Sequence, residues 1–348
     1  MPRILRVLLP PLLGLVMALA TTEEVVRQVY WRPLVSDPVF STIVPPGTTV
    51  RWRTEGDGTS RWTVNGIRRP SPPSLEKRPY LVLGDSFTEA FMVDDADVFT
   101  QRLEGMLAKG PAASPVLNLG RSGASVADYI AFAPRYRARF SPRWTIVQLR
   151  DDDLAADAWT PSKPHFIRAA NGELRVSLEF APRSRFSSLL QPLRRYSTLA
   201  NYGLIRLQEF ALASAAEPPL FQAANAPSVA TDPLPDATLR YPILAELELL
   251  HDSYDGRITF LMLPEFDLAA PSEPTSETER LWLRTCAARQ WSCVSLREVY
   301  PAFAAHFRSP FGFSNTAWNQ GHMNAAGHHA AARLLEAEML RLAARGLL

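Results

Sequence analysis

The sequence predicts an α/β fold of three layers, with helices on both faces of a mainly parallel, roughly five-stranded sheet. Short apolar runs alternate with helical segments from about residue 80 onwards. The 348 residues, 47% of them hydrophobic and 21% charged, suffice for one large domain with additions or for two domains. The net charge of +2 gives no sign of a nucleic-acid footprint.

Residues 1–20 have the pattern of a signal peptide or a membrane anchor. Arg3 and Arg6 give a positive start, and Val7–Ala20 is an apolar run that ends in a small-x-small motif. This run is shorter than the roughly 20 apolar residues of a membrane span. We therefore expect an extracytoplasmic protein, periplasmic or secreted, that is either cleaved or tethered to the inner membrane through residues 4–20.

A small N-terminal element is expected over residues 21–75. Polar and apolar residues alternate in Thr49–Thr54 and again in Arg61–Asn65, and the turn-forming run Glu55–Gly58 lies between them. This pattern predicts a β-hairpin. Pro70–Pro73 then forms a linker into the main domain.

The main domain is expected over residues 76–345, where strand and helix patterns alternate. The predicted strands are Tyr80–Leu83, Val116–Asn118, Thr145–Leu149, Ile258–Leu263 and Cys293–Leu296. The predicted helices are Asp97–Lys109, Val126–Phe140, Leu239–Leu250, Ser276–Gln290 and a last helix from about Asn324. Alternation of this kind is typical of a parallel sheet covered by helices on both faces.

Three features leave alternatives open. Residues 155–235 break the alternation and form a long insertion, either a lid or a substrate platform, with a hairpin around Asn171-Gly172. The hairpin residues Trp52 and Trp62 either cover a sheet edge or line a sugar site. Cys286 and Cys293 lack the spacing of a metal site, so they are buried thiols or, in an exported protein, one short-loop disulfide. No cofactor and no metal site is indicated.

The run Gly84-Asp85-Ser86 follows the first predicted strand of the main domain. A serine there lies at the carboxyl edge of the sheet, where parallel α/β folds place their chemistry. A histidine, His322, stands near the other end of the chain, just before the last predicted helix. Gly-Asp-Ser alone also occurs as an ordinary turn with capping residues.

Four blocks together make the chain resemble an SGNH (GDSL-type) hydrolase, over roughly residues 80–340. The blocks are Gly84–Ser86, Asn118–Gly123, Gln148–Leu154 and Asn319–His322, in the order of that family. Val64–Arg68 is also similar to a run in bacterial membrane-anchored members of uncertain substrate. The resemblance implies a flavodoxin-like sheet with Ser86 as nucleophile and His322 as its base. It also implies an oxyanion hole formed by the backbone N–H groups of Ser86 and Gly123.

Two positions depart from the family pattern. The third block usually supplies an oxyanion-binding Asn, and Asp152 stands in its place. An Asp usually stands three residues before the histidine, and Asn319 stands there instead, with no Asp or Glu anywhere from Val299 to Leu335. A neutral amide orients an imidazole but stabilises the imidazolium less than a carboxylate does.

Three accounts of these departures remain. Ser86 and His322 work with weaker help, Asn319 orienting the ring; a remote acid such as Asp267 or Asp153 completes the triad; or the site is degenerate. The first two describe an exported serine esterase that hydrolyses acyl esters, with glycan O-acetyl groups favoured, through a Ser86 acyl-enzyme. An O-acyltransferase acting on a cell-surface glycan uses the same acyl-enzyme. The third describes a catalytically weak protein that binds or assembles glycans.

Overall fold

The computed structural model describes residues 3–37, 41–63, 66–73, 77–154, 164–169, 173–179, 196–204 and 240–348. The strands are β1 (Tyr30–Trp31), β2 (Val35–Asp37), β3 (Ser41–Ile43), β4 (Thr49–Trp52), β5 (Gly58–Arg61), β6 (Tyr80–Leu83), β7 (Val116–Asn118), β8 (Trp144–Leu149), β9 (His165–Arg168), β10 (Leu174–Ser177), β11 (Ile258–Met262) and β12 (Ser292–Ser295). The α-helices are α1 (Arg3–Val29), α2 (Ser86–Glu89), α3 (Phe99–Leu107), α4 (Val126–Phe140), α5 (Arg240–Ser253), α6 (Glu277–Arg289), α7 (Tyr300–Ala305) and α8 (Ala325–Ala344).

The main sheet has the order β12-β11-β8-β6-β7, and all of its pairs are parallel. In chain order this is 2-1-3-4-5, the flavodoxin-like arrangement. Leu83 pairs with Val147, and Leu149 pairs with Met262. The carboxyl ends of β6, β8 and β11 therefore meet at one edge of the sheet. The predicted fold class is confirmed.

Helices cover both faces of this sheet because successive strand residues point to opposite sides. Tyr80 and Val82 join a core with Phe99 of α3 and Leu335 of α8. On the other face, Leu81 and Leu83 join the core residues that α4, α5 and α6 supply. The strand residues are almost completely buried on both faces, which explains why β6 is a continuous apolar run.

The predicted helix bounds agree with the structure to within a few residues. Helix α4 has the predicted bounds, and Ser125 and Asp128 form a capping box at its start. Asn324 caps α8 by accepting from the N–H groups of Ala326 and Gly327. Helix α3 begins two residues later than predicted, at Phe99, and ends two residues earlier.

The N-terminal hairpin is present, but its second strand was predicted too late. Trp52 pairs with Gly58, so the turn spans only residues 53–57 and β5 ends at Arg61. Position 58 needs a glycine, because an added Cβ would lie 2.0 Å from the carbonyl oxygen of Phe91. Residues 64 and 65, at the end of the predicted strand, lie outside the described residues.

The two hairpin tryptophans are packing residues. Trp52 and Trp62 each stack on Phe91, with ring centroids 5.7 and 5.3 Å apart. Phe91 and Met92 follow α2, so the N-terminal element shares a hydrophobic cluster with the segment that follows the Gly-Asp-Ser turn. This sharing brings the β4–β5 turn close to the carboxyl edge of the main sheet.

A buried arginine joins the same two regions. The Arg68 guanidinium donates to the carbonyl oxygens of Glu89, Ala90 (2.6 Å) and Val93 (2.7 Å), and to the carboxylate of Asp95 at 3.3 Å. Arg68 is 2% exposed. The chain after α2 therefore takes its position from a charged side chain that it surrounds.

Helix α1 extends well beyond the apolar run seen in the sequence. Its Leu8–Val29 segment is long and apolar enough to cross a membrane, although a signal sequence has the same properties. Its large apolar side chains are exposed, including Leu8, Leu13 and Met17. The C-terminal end of α1 is hydrogen-bonded to the N-terminal hairpin, since the N–H of Arg53 donates to the carbonyl of Val29 at 2.9 Å.

Of the predicted insertion, only residues 164–169, 173–179 and 196–204 are described. Strands β9 and β10 pair antiparallel on either side of Asn171-Gly172, as the hairpin prediction required. The expectation of a lid or platform falls mostly on residues outside the described part.

Cys286 and Cys293 form a disulfide. Of the two alternatives that the sequence left open for these cysteines, buried thiols or a short-loop disulfide, the structure therefore has the second.

Candidate active site

The Gly84–Ser86 turn presents Ser86 at the carboxyl end of β6, as the first residue of α2. Asp85 caps this short helix by accepting from the N–H of Phe87 at 2.8 Å. Gly84 admits no side chain, because an added Cβ would lie 2.1 Å from Thr88 Oγ1 and 2.6 Å from Gln148 Oε1. Close packing beneath the turn thus fixes where the serine hydroxyl stands.

His322 lies directly opposite that hydroxyl. Its Nε2 is 2.8 Å from Ser86 Oγ, although the two residues are 236 positions apart in the chain. Phe87 packs against the imidazole with a centroid distance of 4.8 Å, and Phe311 packs edge-on against Phe87. The structure therefore brings together the serine and the histidine that the sequence singled out.

The carboxylate behind His322 comes from Glu55, in the turn between β4 and β5. Glu55 Oε2 is 2.7 Å from His322 Nδ1, and Oε1 accepts from the backbone N–H of the same residue at 2.6 Å. Gly321 leaves room for this approach, since an added Cβ would lie 2.3 Å from Glu55 Oε1. A carboxylate only accepts, so Nδ1 carries the proton and Nε2 accepts from Ser86.

Burial works to raise the pKa of Glu55, but the hydrogen bonds from His322 and its charge outweigh this effect and hold the pKa below its usual value. The carboxylate is therefore ionised where the neighbouring imidazole needs an anion. This electrostatic arrangement is the one a Ser-His-acid triad requires.

The prediction that Asn319 orients the imidazole is wrong. Asn319 Oδ1 accepts from Ser309 Oγ at 2.6 Å, and its Nδ2 donates to the carbonyl of Phe266 at 2.9 Å. Both ends of the amide are thus used within the loop that leads to His322. Asn319 also has a left-handed backbone, with φ of 58°, a region that Asn tolerates better than most residues.

The remote acids proposed from the sequence are not the partner of His322 either. Asp267 Oδ1 accepts from the N–H of Ala269 at 2.9 Å, and Asp153 Oδ2 accepts from the N–H of Arg150 at 2.8 Å. Both carboxylates serve their own loops. The general idea of a remote acid holds, but the residue is Glu55.

The second block is clamped to the serine turn. The N–H of Arg121 donates to the carbonyl of Gly84 at 2.9 Å, and Glu89 Oε2 accepts from both the N–H and the hydroxyl of Ser122. Gly123 follows with φ of 74°, and an added Cβ would meet nothing within 4 Å. Gly123 therefore follows a residue that is held in place, and its predicted role as an oxyanion donor stays a prediction.

The third block contributes support beneath the site. Gln148 Oε1 accepts from Thr88 Oγ1 at 3.0 Å, and the Arg150 guanidinium lies 4.4 Å from the centre of the Phe87 ring. Asp152 begins a short 3₁₀ helix, but its side chain is outside the described part of the structure. The predicted role of Asp152 in an oxyanion hole consequently stays a prediction.

The comparisons with known proteins return no matching family model and no matching curated protein. Solved structures give remote likenesses. LAE5, an alpha/beta hydrolase from the metagenome of Lake Arreo, is 14% identical with a TM-score of 0.41, covering 76% of this chain and 96% of its own. Axe2, an acetylxylan esterase from Geobacillus stearothermophilus, is 13% identical with a TM-score of 0.40, covering 75% and 94%.

A member of the lipolytic G-D-S-L family from Veillonella parvula is 9% identical with a TM-score of 0.38, covering 76% of this chain and 97% of its own. TM-scores this low carry no conclusion about substrate. The stronger observation comes from the chain itself. Ser86 of the first block and His322 of the last block are in contact at the carboxyl edge of a flavodoxin-like sheet. In the order of its blocks and in its fold, the chain resembles SGNH (GDSL-type) hydrolases.

Proposed function

We propose that this protein is a serine esterase that hydrolyses acyl esters through an acyl-enzyme on Ser86. The single observation that carries the proposal is the hydrogen-bonded chain from Ser86 Oγ through His322 to Glu55. A hydroxyl is a weak nucleophile until a base accepts its proton, and an imidazole backed by a carboxylate is such a base.

In the first step Ser86 Oγ attacks the ester carbonyl while its proton moves to His322 Nε2. The tetrahedral intermediate collapses by breaking the bond to the alcohol oxygen, which takes the proton from Nε2 and leaves. A water molecule then repeats the sequence on the acyl-enzyme and releases the carboxylic acid. Glu55 stabilises the imidazolium in both halves without taking up the proton itself.

The negative charge on the carbonyl oxygen needs donors that are already in place. We assign the backbone N–H groups of Ser86 and Gly123 to this role. The clamp of Glu89 on Ser122 holds the second of them, and each such donor is worth about 3 kcal/mol in the transition state. If the acceptor is a sugar hydroxyl instead of water, the same acyl-enzyme makes the protein an O-acyltransferase.

The serine is tested with a fluorophosphonate probe, which labels an activated serine covalently. We expect stoichiometric labelling of the wild-type protein and none of Ser86→Ala. His322→Ala retains the hydroxyl without its base, so its labelling should fall by about 10³-fold or more. Equal labelling of wild type and His322→Ala would mean that the serine is not activated by this histidine.

We further propose that the protein works outside the cytoplasm and is held at a membrane by α1. The exposed apolar surface of that helix and the Cys286–Cys293 disulfide support this location, because disulfides persist in oxidising compartments. The expected result of cell fractionation is a membrane-associated protein whose cysteines resist alkylation until it is reduced. A cytosolic pool with two reactive thiols would contradict the proposal.

A further inference from the structure

A concave surface lies beside the loop that carries His322. This aromatic groove has a volume of about 550 Å³ and is bordered by Asp57, Asp94, Asp97, Phe307, Phe313 and Trp318. Gly312 also lines it and donates its N–H to the carbonyl of His322 at 2.9 Å. The groove is therefore adjacent to the proposed active site, and its volume is within the range of small-molecule sites.

Phe307 is the most informative residue of the groove. It follows the end of α7 with φ of 49°, and its N–H donates to the carbonyl of Ala304 at 3.0 Å. Helix ends of this left-handed kind favour glycine, because a side chain there adds steric strain. The ring is also 80% exposed, so it adds little to the core. Folding alone gives no reason for a phenylalanine at this position.

Trp318 presents a second exposed ring on the same groove. It is 54% exposed and touches Phe266 edge-on, with the ring centroids 6.4 Å apart. Exposed rings that border a concave surface are a common mark of ligand-binding grooves. Two such rings supply flat apolar surfaces of the size of a sugar ring.

Carboxylates supply the complementary polar contacts. Asp94 accepts from the N–H of Thr59 through Oδ1, and Asp57 accepts from Arg53 Nε through Oδ1, both at 2.8 Å. Carboxylates have acceptor capacity for several hydrogen bonds each, and sugar hydroxyls are donors. Asp57 is ion-paired with Arg53, and Asp97 is ion-paired with Arg102. Together with Arg308 in the lining, these pairs leave the groove with little net charge, which suits uncharged sugars.

We propose that the aromatic groove binds uncharged sugar residues of the alcohol half of the substrate, so that a glycan is held with its acyl group at Ser86. The apolar C–H faces of the sugar rings stack on Phe307 and Trp318, and their hydroxyls donate to the aspartates. This inference rests on the proposed esterase function and names the substrate class of that site, an acylated neutral glycan.

Binding is tested separately from catalysis in the Ser86→Ala protein, by calorimetric titration with neutral hexasaccharides (gluco-, xylo- and manno-) and with an oligouronate. We expect binding of at least one neutral hexasaccharide and weaker binding of the oligouronate. Phe307→Gly and Trp318→Ala, added singly, should each weaken it by about tenfold. The matched control is Tyr196→Ala, which removes a ring that is 69% exposed outside the groove and should change nothing.

Phe307→Gly also separates a binding role from a structural one. Because glycine suits the left-handed backbone, the melting temperature of this variant should stay the same or rise while binding falls. With an acetylated oligosaccharide as substrate, Phe307→Gly should raise KM and leave kcat nearly unchanged. Hydrolysis of p-nitrophenyl acetate, which has no sugar, should be unaffected.

Two outcomes overturn the inference: no neutral hexasaccharide binds, or the groove variants bind as tightly as Tyr196→Ala. Failure of the esterase proposal gives a different result. In that case the wild-type protein does not hydrolyse p-nitrophenyl acetate, whatever the titrations show.

Discussion

Glu55→Gln is expected to lower kcat for ester hydrolysis by about 10⁴-fold with little change in KM, as loss of the triad carboxylate does in serine proteases. The amide keeps the size of the side chain but presents an N–H₂ group as readily as an oxygen to His322 Nδ1. The imidazole then loses both its fixed tautomer and the negative charge that stabilises it when protonated. Steady-state kinetics with p-nitrophenyl acetate measures the effect.

Two matched variants distinguish this role from a general effect on the loop. Asp57→Asn changes a carboxylate in the same turn that does not touch His322, and it should leave p-nitrophenyl acetate hydrolysis intact. Asn319→Asp places an acid where SGNH hydrolases usually have one. It should give no gain, because the Asn319 side chain bonds Ser309 and Phe266 and the Nδ1 position is already taken. A large gain from Asn319→Asp would contradict the assignment of Glu55.

The low pKa of Glu55 also predicts a pH dependence of stability. A carboxyl whose pKa is lower in the folded state contributes stability above its unfolded value, 4.5, and loses that contribution as the pH falls through the folded value. The difference in melting temperature between wild type and Glu55→Gln should therefore be constant above about pH 5 and shrink at lower pH. A difference that grows on acidification would contradict the hydrogen bonds that His322 donates to Glu55.

The serine and the histidine were predictable because each has a local signature. Ser86 follows a buried apolar strand through a glycine, and His322 stands just before a capped helix. The acid has no such signature. Glu55 lies 267 residues from His322, and its run Glu55–Gly58 has the composition of an ordinary turn between two strands. One clue was available: the stretch from Val299 to Leu335 has no acid, so any acid had to come from elsewhere.

The fold was predictable for a similar reason. Strands buried on both faces are continuous apolar runs, so the strands of the main sheet were placed to within about a residue. The β4–β5 hairpin is half exposed, and its alternation continues past the true end of β5 through Trp62. Long-range contacts hold β5 in place, among them the close packing of Gly58 against Phe91 and the hydrogen bond from the N–H of Thr59 to Asp94, and no sequence pattern reveals such contacts.

Arg68→Met is expected to destabilise the fold by about 3–5 kcal/mol, because it removes the buried cationic partner of a buried carboxylate. Asp95, 5% exposed, loses its buried partner, and the carbonyl groups of Glu89, Ala90 and Val93 lose their donor. Urea denaturation at about pH 7 gives the free energy of unfolding. The matched control is Arg61→Met, whose guanidinium lies 3.9 Å from the same carboxylate but is 58% exposed, so it should cost about 1 kcal/mol or less.

The difference in unfolding free energy between wild type and Arg68→Met should depend on pH, and this dependence separates the lost charge partner from the lost packing. Burial raises the pKa of Asp95 even with Arg68 beside it, and without Arg68 the pKa should rise further. A carboxyl with a raised folded pKa favours the folded state at low pH and loses that contribution as the pH rises. Arg68→Met should therefore recover part of its stability at about pH 4, and Asp95→Asn in the same background should recover a similar part at about pH 7. If neither change helps, the cost lies in the unsatisfied carbonyl groups, and Arg68 acts mainly by holding the chain that follows Ser86.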